Sequence, residues 1–240
     1  MLAIRYNSVD KPYTRFILPY SILLLGFLAW ASPEIAIKQW PLPNENRRKE
    51  LTLLYLKKHS AGHPLTGDLE KDVRMTPKVI VIHWTGGSSA KSTWNYFSRP
   101  SLRGRKNLKK AGALNVSAHF LVARNGTIYQ LLDDNRIARH CIGLNHLSIG
   151  IENVGNGDKY KLTTKQLKAN ARLITYLANK HPITHVIGHK EYRKLEDHPY
   201  FSENDPNYRT AKSDPGDRFM KDLRKAIADL GLSGPPAKKP

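Results

Sequence analysis

Two short apolar runs rich in β-branched residues, each ending in a histidine, constrain most strongly what this chain can fold into. Residues 79–82 are Val-Ile-Val-Ile and precede His83, while residues 185–188 are His-Val-Ile-Gly and precede His189. Runs of this length, bounded by turn or polar residues, are typical of buried strands. We therefore expect two strands that each deliver a histidine at the carboxyl end.

The remaining periodic segments predict an α/β fold with a single mixed central β-sheet flanked by helices. The main helix is expected over 163–180, where Thr163 and Gln166 form a capping box before apolar residues at helical spacing. The Asn-Gly pair at 125–126 predicts a hairpin turn between two strands. The strands are expected near 78–83, 118–123, 127–132, 148–153 and 184–188.

A second helix is expected over 44–60, in the part of the chain that precedes the first strand. Leu51, Leu54 and Tyr55, with Lys58 as a further candidate, are assigned to one face of this helix. Residues 62–75 are expected to form a polar connector.

The segment Lys-Ser-Asp-Pro-Gly at 212–216 admits two interpretations. In the first, Asp214 is the N-cap and Pro215 the first residue of a final helix that stops at Gly231. In the second, the Asp214 carboxylate joins His83 and His189, because two imidazoles and one carboxylate make a zinc site with one open position. The residues alone leave both interpretations open.

Five ordered motifs resemble the zinc N-acetylmuramoyl-L-alanine amidases, a family that includes the peptidoglycan recognition proteins. They are His83-Trp84-Thr85 and the segments 117–122, 148–152, 187–189 and 212–216. The resemblance covers roughly residues 75–228, and five motifs in one order make chance agreement very unlikely.

The resemblance implies a role for each matched position. It makes His83, His189 and Asp214 the ligands of Zn²⁺, Glu152 the general acid/base and Lys212 the cation that stabilises the developing oxyanion. The chemistry is coherent, because zinc lowers the pKa of its water to about 7 and a glutamate can then move the proton. Without the resemblance, Glu152 on the polar face of a strand is an ordinary solvated residue.

Three further residues are expected to contact substrate: His140, Trp84 and Thr85. His140 matches a histidine that in the family usually follows a tryptophan, whereas this chain has Arg139, which puts the local sugar or peptide surface in doubt. His119 is expected to be a strand histidine satisfied by its neighbours. The aromatic segment 190–211 is expected to form one wall of the substrate cleft, with a packed surface loop as the alternative.

The resemblance therefore implies hydrolysis of the amide bond between N-acetylmuramic acid and L-alanine in peptidoglycan or muropeptides. The protein is expected to be a monomer. Two alternatives remain: a non-catalytic peptidoglycan-binding module, and a polyanion-binding protein with a vestigial site. Because binding-only relatives typically lack a ligand, the full ligand set together with Glu152 and Lys212 favours the enzyme.

The N-terminal residues predict export. An apolar run over 16–31 follows Arg5, Lys11 and Arg15 and ends in Ala-Trp-Ala, the layout of a signal peptide. The alternative is an uncleaved membrane anchor that extends over 33–37. In both cases the catalytic part lies in the periplasm or cell envelope.

We expect four segments: the export segment 1–31, an N-terminal extension with one helix over 32–74, the catalytic domain over 75–231 and a disordered basic tail over 232–240. The single cysteine, Cys141, excludes an intrachain disulfide.

The chain is strongly basic, with a formal net charge of +19. The positive electrostatic potential of such a chain favours anionic partners. In the cell envelope these are wall carboxylates, phosphate-bearing polymers and lipid head groups. Nucleic acid is not expected as a partner of the basic segment 98–110, because an exported protein rarely meets it. Contact with a membrane is expected only through the N-terminal segment.

Overall fold

The computed structural model describes residues 35–60, 62–104 and 109–237. The predicted export segment lies outside these residues, as do part of the basic segment and the last three residues of the predicted tail. Within the described ranges, no helix has the length and apolar character needed to cross a membrane.

Six strands form one mixed sheet, which confirms the predicted fold class. The sheet order is β1-β4-β3-β5-β2-β6, in which β3 and β4 pair antiparallel and the other neighbours pair parallel. The strands are β1 Ile37–Gln39, β2 Val79–Trp84, β3 Phe120–Val122, β4 Ile128–Gln130, β5 Ser148–Asn153 and β6 His185–Gly188.

Helices cover the sheet. They are α1 Glu45–His59, α2 Leu69–Asp72, α3 Ala90–Phe97, α4 Thr164–Lys180 and α5 Asp217–Ala226, with 3₁₀ helices at His189–Leu195 and Ala228–Leu230. The capping box of α4 is confirmed, because Thr163 Oγ1 accepts a hydrogen bond from the Gln166 amide and Gln166 Oε1 accepts one from the Thr163 amide. The Gln166 side chain also donates to the carbonyls of Val122 and Val154, which ties the start of α4 to the sheet.

Strand β2 is buried on both faces, which explains its uninterrupted apolar run. It lies between β5 and β6, with His83 opposite Glu152 on β5 and Ile82 opposite Gly188 on β6. Because the three strands are parallel, their carboxyl ends meet at one edge of the sheet.

Strand β1 was not predicted. It has three residues, too few for an alternation to be recognised, and it pairs parallel with β4 at the edge of the sheet. Part of the N-terminal extension therefore belongs to the central sheet.

The predicted buried face of α1 is partly wrong. Leu51 and Tyr55 are buried, but Leu54 is 60% exposed and Lys58 also faces solvent. The buried side of the helix instead includes Thr52, Leu56 and His59, which are four and three positions apart and therefore share a helix face.

The predicted N-cap role of Asp214 is wrong. Helix α5 begins at Asp217 and has Gly216, at φ 90°, in the cap position, and the Asp214 side chain turns toward two histidines. The helix ends at Ala226, and Gly231 adopts the left-handed conformation after a 3₁₀ turn. The predicted stop at Gly231 therefore falls after that turn instead of at the end of the α-helix.

Order also extends into the predicted disordered tail. Ser233 donates its amide to the Thr184 carbonyl and accepts a hydrogen bond from the Val186 amide, each at 2.9 Å. These bonds lay the chain beside β6.

The substitution Leu173→Ala should lower the free energy of unfolding by about 2–5 kcal/mol, because Leu173 is fully buried in α4 and its truncation leaves a cavity. The matched substitution Leu54→Ala should change it by less than about 0.5 kcal/mol, since Leu54 faces solvent. Urea unfolding of the two variants measures the difference. Equal losses would contradict this packing of the helices.

Candidate metal centre and cleft

Parallel pairing brings two of the predicted ligands together. His83 lies near the end of β2, and His189 follows directly after β6, whose last residue is opposite Ile82. The third group, Asp214, lies before α5, and its carbonyl accepts a hydrogen bond from the Lys190 amide at 2.8 Å. That bond fixes the Asp214 segment beside the second histidine.

The three side chains form a compact triangle of ligand atoms. His83 Nδ1 and His189 Nδ1 are 3.0 Å apart, and Asp214 Oδ2 lies 3.2 Å from the first and 3.0 Å from the second. Ligands on a tetrahedral zinc ion are separated by about 3.3 Å, given metal–ligand distances of about 2.0 Å. The donor set and its spacing therefore fit a zinc ion with one open position.

Burial favours the ligating forms of these groups. Burial, followed by the proximity of His83, lowers the pKa of His189 to about 4, so the imidazole is neutral at pH 7. Burial opposes ionisation of Asp214, but hydrogen bonding to His189 and the proximity of His83 outweigh it and hold the pKa of the carboxyl well below its ordinary value. Neutral imidazole and ionised carboxylate are the forms that bind a cation.

Glu191, which the sequence analysis did not identify, supports the end of β6. Its carboxylate accepts a hydrogen bond from the Gly188 amide at 2.8 Å and also binds the Arg224 guanidinium of α5. Gly188 has no room for a side chain, since a Cβ there would lie 2.9 Å from Pro215. The sequence signal that could have identified Glu191 is its position three residues after Gly188, the glycine that ends a predicted strand.

Glu152 lies beside the triangle with a carboxylate oxygen that is buried. Within the described part of the chain, Oε2 has no hydrogen-bond partner. Burial raises the pKa of Glu152 to about 7; the Asp214 carboxylate adds to this shift, and the opposing effects of His83 and Lys212 do not cancel it. A carboxyl group with this pKa can both accept and release a proton near neutral pH.

One cleft of about 690 Å³ contains every residue that the sequence analysis placed in the site. The eight predicted residues among those that line it are His83, Trp84, Thr85, His140, Glu152, His189, Lys212 and Asp214. The fold therefore brings all eight predicted residues to one cleft.

Trp84 and Thr85 also make structural contacts. The Trp84 ring lies against Gly157, where a Cβ would come within 2.5 Å of it. Thr85 Oγ1 accepts a hydrogen bond from the Gly155 amide at 3.3 Å. Both residues therefore help to fix the chain after β2 as well as line the cleft.

The segment 190–211 supplies Tyr208 and Thr210 to the cleft wall. It is more ordered than predicted, since it continues the 3₁₀ helix that begins at His189, and Tyr192 Oη bonds both the amide and the carbonyl of Thr210 at 2.8 Å. Its contact with substrate remains a prediction.

Helix α1 contributes a wall that the sequence analysis missed. Tyr55 lines the cleft, and the Arg139 guanidinium lies 5.0 Å from the centre of its ring. Arg139 also donates to the Leu114 carbonyl at 2.6 Å and to Tyr208 Oη at 3.0 Å. The arginine that departs from the family pattern therefore joins three segments of the cleft.

Two other histidines near the site, His119 and His140, form hydrogen bonds within the protein through their side chains. His119 accepts the Gly150 amide at Nδ1 and lies 2.6 Å from the Arg136 carbonyl through Nε2, as expected for a structural histidine. Burial and then the neighbouring His83 hold the pKa of His140 well below its ordinary value.

Comparison with known proteins identifies the family to which this chain belongs. The model of the family described as N-acetylmuramoyl-L-alanine amidase matches residues 73–217. A peptidoglycan recognition protein of Trichoplusia ni is 29% identical over 85 residues, which are 34% of this chain and 47% of that protein. The match thus spans about half of that relative's length.

Solved structures share the fold. The endolysin N-acetylmuramoyl-L-alanine amidase LysCS from Clostridium intestinale URNW has a TM-score of 0.50 and 20% identity, over 84% of this chain and 99% of that one. The N-acetylmuramoyl-L-alanine amidase LysC from the same organism also has a TM-score of 0.50 and 20% identity, over 83% of this chain and 100% of that one. At this identity the similarity shows the fold.

The raised pKa of Glu152 predicts a pH-dependent stability in the metal-free protein. The folded state holds this proton more tightly, so the stability it contributes is full below the ordinary pKa of 4.5 and is lost as pH rises through about 7. Metal-free Glu152→Gln should therefore be more stable than metal-free wild type at pH 8, by up to about 3 kcal/mol, and equally stable at pH 4. Urea unfolding in the presence of a chelator measures this; an equal difference at both pH values would contradict it.

Proposed function

Because this chain belongs to the N-acetylmuramoyl-L-alanine amidase family, we propose that it is a zinc-dependent hydrolase of the amide bond between N-acetylmuramic acid and L-alanine. The substrate is peptidoglycan or muropeptides, and the reaction serves cell-wall turnover or remodelling. The observation that carries the proposal is the buried triangle of His83, His189 and Asp214 with Glu152 at its side.

The proposed metal supplies the activation that an amide requires. Zinc held by His83, His189 and Asp214 is a Lewis acid and lowers the pKa of water to about 7. The cleft of about 690 Å³ leaves room for a chain of sugar and peptide beside these residues.

Glu152 is proposed as the general acid/base. Its carboxylate removes a proton from the attacking water and later delivers it to the leaving nitrogen, so no covalent intermediate is needed. A pKa of about 7 suits both steps, and such proton transfer contributes typically 10²- to 10⁴-fold to the rate.

Lys212 is proposed to stabilise the oxyanion. It lines the same cleft two residues before Asp214, and its positive charge acts on Glu152 and on the proposed ligand His189. An ammonium fixed at this place can donate to the carbonyl oxygen of the scissile amide as negative charge develops there.

The decisive experiment measures zinc content and the hydrolysis of purified wall fragments by the full chain. Wild type should hold about one zinc per chain and release free stem peptides, whereas Glu152→Gln should keep its zinc and lose at least about 100-fold in kcat. Lys212→Met, a substitution that keeps the length of the side chain, should likewise keep zinc and lose about 100-fold.

The outcomes separate the proposed activities. Wild type that holds zinc and binds wall fragments without releasing peptide would replace the enzyme with a peptidoglycan-binding module. Loss of zinc in Glu152→Gln would show that Glu152 acts on the metal site and not on the proton.

We further propose that the chain is exported and acts in the periplasm or cell envelope. The support is the basic N-terminus, the apolar run over 16–31 and the Ala-Trp-Ala sequence at its end. N-terminal sequencing of protein from the envelope fraction should find a mature chain that begins at Ser32. An intact N-terminus in the membrane fraction would identify an anchor, and protein confined to the cytoplasm would refute export.

We also propose that the positive charge of the chain concentrates it on anionic envelope polymers. The formal net charge of +19 supports this, because such a field attracts polyanions. Binding of this kind weakens with salt as the Debye length falls below about 10 Å.

A further inference from the structure

The His140 ring lies between two hydrogen-bond partners within the protein, Ser148 and His83. Its Nε2 is 3.0 Å from the Ser148 carbonyl oxygen, and its Nδ1 is 3.1 Å from Nε2 of His83. A carbonyl oxygen can only accept, so the proton of His140 lies on Nε2. In the neutral ring, Nδ1 then carries a lone pair directed at His83.

The Ser148 hydroxyl agrees with this assignment. Its oxygen lies 3.3 Å from His140 Nε2 and donates its own proton to the Leu144 carbonyl at 2.7 Å. The hydroxyl therefore has no proton left for the ring and acts as a second acceptor for Nε2–H.

The orientation of His140 determines which nitrogen of His83 is protonated. Because Nδ1 of His140 accepts, the proton of the neutral His83 ring must lie on Nε2. The lone pair of His83 then lies on Nδ1, the atom that is 3.0 Å from His189 Nδ1 and 3.2 Å from Asp214 Oδ2.

The His140 ring is fixed from two sides. A Cβ on Gly150 would lie 2.9 Å from the ring, so only a glycine at that place in β5 admits it. Asn145 Oδ1 accepts the backbone amide of His140 at 2.8 Å, and Asn145 Nδ2 donates to Tyr55 Oη of α1 at 3.1 Å. A continuous set of hydrogen bonds thus runs from α1 to His83.

We propose that His140 is a positioning residue: it holds His83 in the tautomer whose Nδ1 lone pair faces the metal position. In this role both ring nitrogens of His140 bond the protein, and the substrate contact expected from the sequence stays a prediction. The inference rests on the zinc site of the proposed function. Partners of this kind, one step removed from the metal, typically change metal affinity 10- to 100-fold when removed.

A matched pair of substitutions tests the proposal. Asparagine places an acceptor oxygen where His140 has Nδ1, and leucine has the same shape without the acceptor. In a chelator competition with the full chain, His140→Leu should bind zinc about 10- to 100-fold more weakly than wild type. His140→Asn should recover most of that affinity.

His119 provides the control. It is fully buried and its ring packs edge-on against His140, but its hydrogen-bond partners are Gly150 and Arg136 instead of a proposed ligand. His119→Leu should therefore bind zinc as wild type does, provided that its unfolding curve shows a folded protein. Equal zinc affinities of the leucine and asparagine variants at position 140 would overturn the proposal.

A spectroscopic measurement separates positioning from a general loss of packing. In metal-free wild type, ¹⁵N NMR should find His83 and His140 both protonated at Nε2, and His140→Leu should shift His83 toward the Nδ1-protonated tautomer. A wild-type His83 protonated at Nδ1 would overturn the inference. If wild type fails to bind zinc, the proposed function fails, and this measurement on metal-free protein still tests the tautomer.

Discussion

The parallel pairing of β2 with β5 and β6 is the constraint on which the rest of the structure depends. Strand β2 can occupy the middle of the sheet only because both of its faces are apolar. Its register sets His83 opposite Glu152, and the neighbouring strand delivers His189 at the same edge. The residues proposed for proton transfer and for metal binding therefore lie on one scaffold, and a slip of one residue in the strand register would turn these side chains to opposite faces.

Burial shifts the pKa values of the site residues and also makes the charged carboxylate less stable there. The same low dielectric lowers the pKa of His189 to about 4 and raises that of Glu152 to about 7. A cation placed among His83, His189 and Asp214 would offset the unfavourable burial of the carboxylate. Because a ligand that binds only the folded state stabilises it, metal binding and folding are expected to be linked.

The N-terminal extension is part of the site architecture. Helix α1 presents Tyr55 to the cleft and ends in His59, which pairs with Glu203 at 2.7 Å inside the protein. Both nitrogens of the His59 ring face acceptors, Glu203 Oε1 and the Ala111 carbonyl. This pair joins α1 to the segment that carries Tyr208, so two walls of the cleft are held by one buried contact.

The sequence by itself determined the buried strands, the capping box of Thr163 and Gln166 and the eight predicted residues that line the cleft, because each of these rests on local periodicity or on motif order. Only the tertiary structure decided where side chains point. It turned Asp214 from a helix cap toward the histidines, and it engaged both nitrogens of His140 within the protein. The exposure of Leu54 was likewise settled by helix packing. The physical reason is common to all three: each depends on partners far away in the chain, which no local pattern records.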